Sequence, residues 1–229
     1  MSVTDESTTD EAGTERAACL KAAYAVKNPD DNRALYAKWA ATYEEFLDEN
    51  RYIYALQVAE IFAERSPART GAVLDAGCGT GRVGLELSRL GISPVDGIDI
   101  SPEMLARART MSGPDGTPSY RRLTEADLTG SIDLETGSYS GLVSSGVFTH
   151  GHVGPDALSE LLRVVRSGSA GVIGVNTALF ESNGYKERFE RYEAEGVIED
   201  LEVQLRQVYE DIDADNPNHL AHIVAFTVA

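Results

Sequence analysis

Two textures of hydrophobic and polar positions divide this chain. Residues 1–15 are polar and acidic with no apolar periodicity, and are expected to be disordered. From Ala17 apolar residues recur at helical spacing, until Asn28-Pro29-Asp30-Asp31 supplies a turn that opens a new helix. Leu35, Tyr36, Trp39, Ala40, Tyr43, Phe46 and Leu47 then follow the spacing that gathers side chains on one helical face. Tyr54, Ala55, Val58, Ile61 and Phe62 do the same in a second amphipathic helix.

From Gly71 short apolar runs alternate with helical stretches. Residues 72–75, 94–99, 119–123, 141–145 and 171–175 predict five strands. The intervening helices are predicted over 82–90, after Ser101-Pro102, and over 156–165, the last closed by Arg166-Ser167-Gly168. Ser101 is a helix-capping residue, and proline suits the first helical position behind it. Strands joined through helices pair in parallel with right-handed crossovers. After a helix near 181–195, residues 201–209 and 222–228 read as strands joined by the polar loop Asp213-Ala214-Asp215-Asn216-Pro217-Asn218. That loop is too short for a helical crossover, so the two strands should pair antiparallel. The expected fold is α/β: a Rossmann-like, seven-stranded, mostly parallel sheet with an antiparallel C-terminal hairpin. One domain is expected over 16–229, with N-terminal helices in 16–68 and the core in 69–229.

The densest chemistry lies in Val73-Leu74-Asp75-Ala76-Gly77-Cys78-Gly79-Thr80-Gly81. An apolar strand ends in an acid and enters a loop with glycine at alternate positions. Such a loop turns tightly and lets a ligand approach backbone N–H groups at the start of a helix. Asp75 suits a cationic ligand better than a pyrophosphate. Gly79-Thr80-Gly81-Arg82-Val83-Gly84 also satisfies the G-x-G-x-x-G dinucleotide pattern, so a nicotinamide site is the competing reading. Asp75 would repel its phosphates.

Two further acids end the next two strands. Asp99 lies about 20 residues past the loop, where a carboxylate can accept from both ribose hydroxyls. Asp127 follows the third strand. Asp96 is in opposite phase within its strand and should face elsewhere. Ligands of open α/β sheets bind at the carboxyl ends of strands, where these three acids gather.

The loop resembles that of the class I S-adenosylmethionine (SAM) methyltransferases. Tyr36-Ala37-Lys38-Trp39-Ala40-Ala41-Thr42-Tyr43-Glu44 is similar to the N-terminal segment of many small-molecule methyltransferases, with Glu44 in place of their usual Asp. The stretch 144–165, SSGVFTHGHVGPDALSELLRVV, resembles the methyltransferase-like protein of the Williams–Beuren syndrome region and its bacterial relatives; Ser140 stands where these carry an acid. The resemblance implies SAM as cofactor, S-adenosylhomocysteine as product and a small-molecule acceptor. It implies cofactor contacts from Asp75, Gly77, Cys78, Gly79 and Gly81 in the loop. Asp99 with Ile100 and Met104, Asp127 with Leu128, and Ser145 after the fourth strand complete the set, Asp127 meeting the adenine amine. Tyr36, Trp39 and Tyr43 imply a helical lid over the cofactor; the same aromatic stripe is also what a helix packed on the core would carry. His150 and His152 follow the fourth strand, where a histidine can take a proton from an acceptor or simply line the pocket. A SAM-binding subunit without catalysis fits the same motifs.

Composition narrows this further. The 229 residues are 42% hydrophobic and 25% charged, ordinary for a globular domain. A formal charge of −17 argues against a nucleic-acid partner, which needs a basic face. No apolar run approaches the ~18 residues of a membrane span, and the polar N-terminus does not resemble a secretory signal, so a cytoplasmic protein is expected; the sequence leaves open whether it is a monomer or a homodimer. Cys19 and Cys78 give no disulfide framework, and no His/Cys/Asp group has metal-ligand spacing, so no metal is expected.

Overall fold

In the computed structural model, residues 29–66, 71–149, 153–210 and 219–229 are described. Three N-terminal helices, α1 (Pro29–Trp39), α2 (Tyr43–Glu49) and α3 (Tyr54–Arg65), precede the sheet. The alternating part follows as β1 (Val73–Ala76), α4 (Arg82–Arg89), β2 (Val95–Asp99), α5 (Pro102–Ala108), β3 (Arg122–Glu125), β4 (Tyr139–Phe148), α6 (Ala157–Arg163) and β5 (Val165–Asn176). Two more helices, α7 (Thr177–Phe180) and α8 (Tyr185–Ala194), lead to β6 (Ile198–Gln207) and β7 (Leu220–Val228).

The seven strands form one sheet in the order β3-β2-β1-β4-β5-β7-β6. The first five pair in parallel, and β7 inserts antiparallel between β5 and β6. This is the Rossmann-like topology with a C-terminal antiparallel pair that the sequence predicts. Strand order reverses between β1 and β4. The loops leaving those two strands therefore diverge and open a crevice at their carboxyl ends.

Both faces of the central strands are covered, so their successive residues are buried rather than alternating. Val73, Val95, Val143, Val172 and Ile223 pack under α3, α4 and α5. Leu74, Ile98, Leu142, Ile173 and Phe226 pack against the side of α6, α7 and α8. A third cluster of Trp39, Phe46 and Leu47 holds α1 against α2. No helix among the described residues is long and apolar enough to cross a membrane.

Three of the departures from the sequence pattern have a visible local cause. The apolar stripe from Leu35 to Leu47 is not one helix. It breaks after Trp39 and restarts at Tyr43, because α2 is held separately by ion pairs to Arg82. Arg166-Ser167-Gly168 lies inside β5 rather than closing a helix. The register shifts there against β4, and Gly168 absorbs the irregularity at φ 76°. β3 begins at Arg122, because Tyr120 just before it turns into the core.

Candidate active site

The crevice at the switch point holds about 890 Å³ of space, its open mouth included. Its floor is the glycine loop, with Gly77, Cys78, Gly79 and Thr80. One wall comes from the ends of β2 and β3, with Asp99, Ile100, Met104 and residues 126–129; the other comes from Ser145, Gly146 and Val147 at β4. Tyr36, Tyr43, Leu47 and Tyr52 close it from above.

Asp75 departs from the expected direct contact. It is fully buried and does not line the cavity, because β1 is covered on both faces. Its Oδ2 accepts a 2.6 Å hydrogen bond from the Tyr120 hydroxyl, which itself accepts from the Gly84 N–H at 3.0 Å. Oδ1 has no hydrogen-bond partner among the described residues. Burial raises the carboxyl to about 7, and the nearby Asp99 adds to the rise, against the Tyr120 hydrogen bond. A buried acceptor left open beneath a ligand loop is unusual enough to need a partner.

Asp99 ties the loop to β2. Its Oδ2 accepts the Gly79 N–H at 2.8 Å and its Oδ1 accepts the Ser101 N–H at 2.9 Å. Burial raises its pKa, and these backbone donors oppose the rise. Each oxygen retains a second lone pair, so the carboxylate can still accept a pair of hydroxyls. Asp127 folds back on its own turn, its Oδ1 accepting from the N–H and hydroxyl of Thr129 at 2.8 and 2.7 Å. Asp96 pairs with Arg121 and with the Tyr139 hydroxyl, away from the cavity.

The aromatic stripe splits between the two roles it could play. Tyr36 and Tyr43 line the cavity, whereas Trp39 is 4% exposed, absent from the lining and packed edge-on against Tyr43 at 4.9 Å. Glu44, beside Tyr43, anchors the lid to the loop. It accepts from the Thr80 hydroxyl, and its Oε2 accepts from Arg82 Nε at 2.9 Å. Arg82 also pairs with Asp48. From α1, Arg33 donates to the Ile100 carbonyl at 3.1 Å and to Glu125 at 3.0 Å, closing the other side.

Gly81 is the other loop residue outside the lining. It caps α4 at φ 98°, and a Cβ there would lie 2.9 Å from the Tyr120 ring, so its role is packing. Gly79 is the opposite case: a Cβ would meet nothing within 4 Å, leaving room for a ligand against the backbone. Gly77, Cys78, Ile100, Met104, Leu128 and Ser145 line the cavity as placed by the sequence. His150 and His152 lie outside the described residues. Tyr185 is core, donating to the Val153 carbonyl. His222 stacks on Phe180 at 4.2 Å, and His219 packs on Tyr209, which pairs with Tyr52.

Sequence reasoning missed Tyr52, Tyr120 and Asn32. Tyr52 shares a 2.8 Å hydrogen bond with Ser145, and burial pushes its hydroxyl up to about 12, so it stays protonated. Asn32 lines the cavity with a buried Oδ1 that has no partner among the described residues. None of the three sits in a spacing pattern that would have marked it.

A family model described as "Methyltransferase domain" matches residues 73–168. Methyltransferase-like protein 27 of Homo sapiens is 28% identical over 191 residues, 80% of this chain and 74% of that protein. The uncharacterized methyltransferase YodH of Bacillus subtilis (strain 168) is 29% identical over 121 residues, 52% of this chain and 48% of that protein. A TehB-like SAM-dependent methyltransferase from Corynebacterium glutamicum shares the fold, with a TM-score of 0.57 at 23% identity over 86% of this chain and 99% of that one.

Residues 73–168 match a methyltransferase domain, and the fold is one shared with SAM-dependent methyltransferases. SAM is the cofactor that this likeness implies, and the residues present fit that group. The carboxylates of Asp99 and Asp127 line the cavity and the unpartnered Oδ1 of Asp75 lies buried beneath its floor, an acidic set that suits a cationic adenosyl compound. Among the described residues Arg82 is the one arginine in the lining, and it is committed to Glu44 and Asp48, so these residues offer no unpaired cation to a pyrophosphate.

Proposed function

We propose that this methyltransferase acts on a small-molecule acceptor enclosed between the lid and the end of β4. The observation that carries the reading is the lid itself. Tyr36, Tyr43, Leu47 and Tyr52 roof the cavity, and Glu44 pins that roof to the loop. A roofed cavity admits a metabolite-sized acceptor more readily than a folded macromolecule.

In this reading Asp99 accepts from the ribose hydroxyls, Asp127 from the adenine amine, and Oδ1 of Asp75 faces the ammonium end across the loop. When bound, SAM supplies a methyl group on a sulfonium, already a strong electrophile. What the chain adds is alignment and exclusion of water. Tyr36 and Tyr43 cover the site, and the Tyr52–Ser145 pair offers a neutral hydrogen-bonding edge to the acceptor. His150 or His152 takes a proton where the acceptor must lose one.

The test has two parts. Calorimetry with SAM and with NAD should show uptake of SAM alone. Incubation with SAM and a fractionated metabolite extract should then release S-adenosylhomocysteine with one or a few small-molecule fractions, and His150→Ala or His152→Ala should slow that release. Uptake of SAM with no transfer to any fraction would favour a non-catalytic SAM-binding subunit. Transfer only to protein or nucleic acid would overturn the small-molecule reading.

A further inference from the structure

The two edges of the sheet are built differently. β3 is four residues long and carries Arg122 and Glu125, the short charged form that discourages further pairing. β6 spans ten residues and presents two of the exposed large hydrophobic side chains among the described residues, Val203 at 42% and Leu205 at 53%. A long edge strand with exposed apolar side chains is a template for another strand.

The ladder shows which backbone groups are open. In an antiparallel pair, hydrogen-bonded residues alternate with residues whose N–H and C=O point the other way. The Val208 N–H donates to the His219 carbonyl in register with the β6–β7 ladder, so Glu202, Gln204 and Arg206 turn their backbone groups to β7. Leu201, Val203, Leu205 and Gln207 turn theirs outward. Side chains take up both ends of that row. The Leu201 N–H donates to Glu193 Oε1 at 3.1 Å, and the Gln207 carbonyl accepts from Gln57 Nε2 at 3.0 Å. The groups of Val203 and Leu205 between them have no partner among the described residues.

We infer that β6 is a homodimer interface, pairing antiparallel with β6 of a second copy about a two-fold axis at Gln204. That register sets Val203 opposite the partner copy's equivalent of Leu205, and Leu205 opposite that of Val203. Each pair closes two backbone hydrogen bonds, which uses all four open groups and disturbs neither capped end. The same register sets Glu202, which within the chain pairs with Arg65 at 3.3 Å and accepts from Gln204, opposite the second copy's Arg206, which donates to its own Gln204, on one face, twice by symmetry, while Val203 and Leu205 cover each other on the other face. A patch that complements itself about a two-fold axis is what an isologous contact requires. Moving the axis to Val203 would call on the Leu201 N–H, already held by Glu193. Moving it by half a residue would set apolar against polar positions. The occupant that satisfies hydrogen bonds, apolar pairs and charges together is a second copy of this chain.

Sedimentation analysis of the full chain over a range of concentrations should show a monomer–dimer equilibrium in the micromolar range, as befits a small interface. Leu205→Arg should weaken it at least tenfold. Glu202→Arg should weaken it similarly, and Glu202→Arg combined with Arg206→Glu should restore it. Gln204→Cys should form a disulfide-linked dimer on mild oxidation. None of these residues lines the cavity, so unchanged SAM binding certifies that each variant is folded. A chain that stays monomeric throughout, or a dimer indifferent to Leu205→Arg and to the charge exchange, would overturn the proposal, as would capture of a different protein's strand by monomeric chain.

Discussion

The Tyr120 hydroxyl donates a 2.6 Å hydrogen bond to the buried carboxylate of Asp75, from beneath the glycine loop that floors the cavity. The tyrosine also fills the space beside three glycines. A Cβ on Gly81, Gly84 or Gly97 would come within 2.9 Å of its ring. Loop, carboxylate and ring are therefore one packed unit, and disturbing any member moves the others.

Stability without cofactor should fall with rising pH through this unit. Asp75 titrates at about 7 in the folded chain, against about 3.9 in an unfolded one. Its pKa is raised on folding, so its contribution is fully present below about 3.9 and is lost as pH rises through 7. Thermal unfolding between pH 5 and pH 8 should show that decline, and Asp75→Asn should flatten it. SAM binding should run the opposite way, strengthening as the carboxylate ionises, and Asp75→Asn should remove that trend in calorimetry.

Tyr120→Phe should keep the ring and remove the donor. Asp75 loses the hydrogen bond that holds its pKa down, so the midpoint of the pH-dependent SAM binding should move upward. The Gly84 N–H loses its acceptor as well. Leaving such groups unpaired costs about 1–3 kcal/mol, measurable by urea unfolding.

Gly84 and Gly79 should respond differently to alanine. At Gly84 the new Cβ would lie 2.2 Å from the Tyr120 ring, an overpacking cost of about 1–3 kcal/mol in stability. At Gly79 no protein atom obstructs it, and backbone strain at φ 52° costs about 1–2 kcal/mol. The main loss at Gly79 should be SAM affinity, by tenfold or more, because the methyl group enters cofactor space. Parallel unfolding and binding measurements separate the two.

Glu44→Ala should free the lid. The ion pair with Arg82 is partly exposed, so stability should change by no more than about 1 kcal/mol. SAM affinity should drop several-fold, mainly through faster dissociation, as stopped-flow measurement would show.

Much of the architecture was legible along the chain because it rests on periodicity. Alternating apolar runs and helices announced a parallel sheet, and the short polar loop after β6 announced the antiparallel return. Asp99 was legible because it ends a strand about 20 residues past a glycine loop, and Asp127 because it follows the next strand. Tyr120 was not, since its significance is a contact across 45 residues with Asp75 and no local pattern encodes it. The lid was half legible. Helical spacing placed Tyr36, Trp39 and Tyr43 on one face, but only packing turned the tryptophan inward and left the tyrosines over the cavity.

The sequence by itself determined the order of the elements, the glycine loop and the acids that follow it, because each depends on residues close together in the chain. The tertiary structure decided which acids line the cavity and which lies buried under the loop. It also decided which aromatic residues are roof rather than core, and which edge of the sheet stays open. Those outcomes depend on which surfaces are covered by distant segments, and burial is a property of the whole fold.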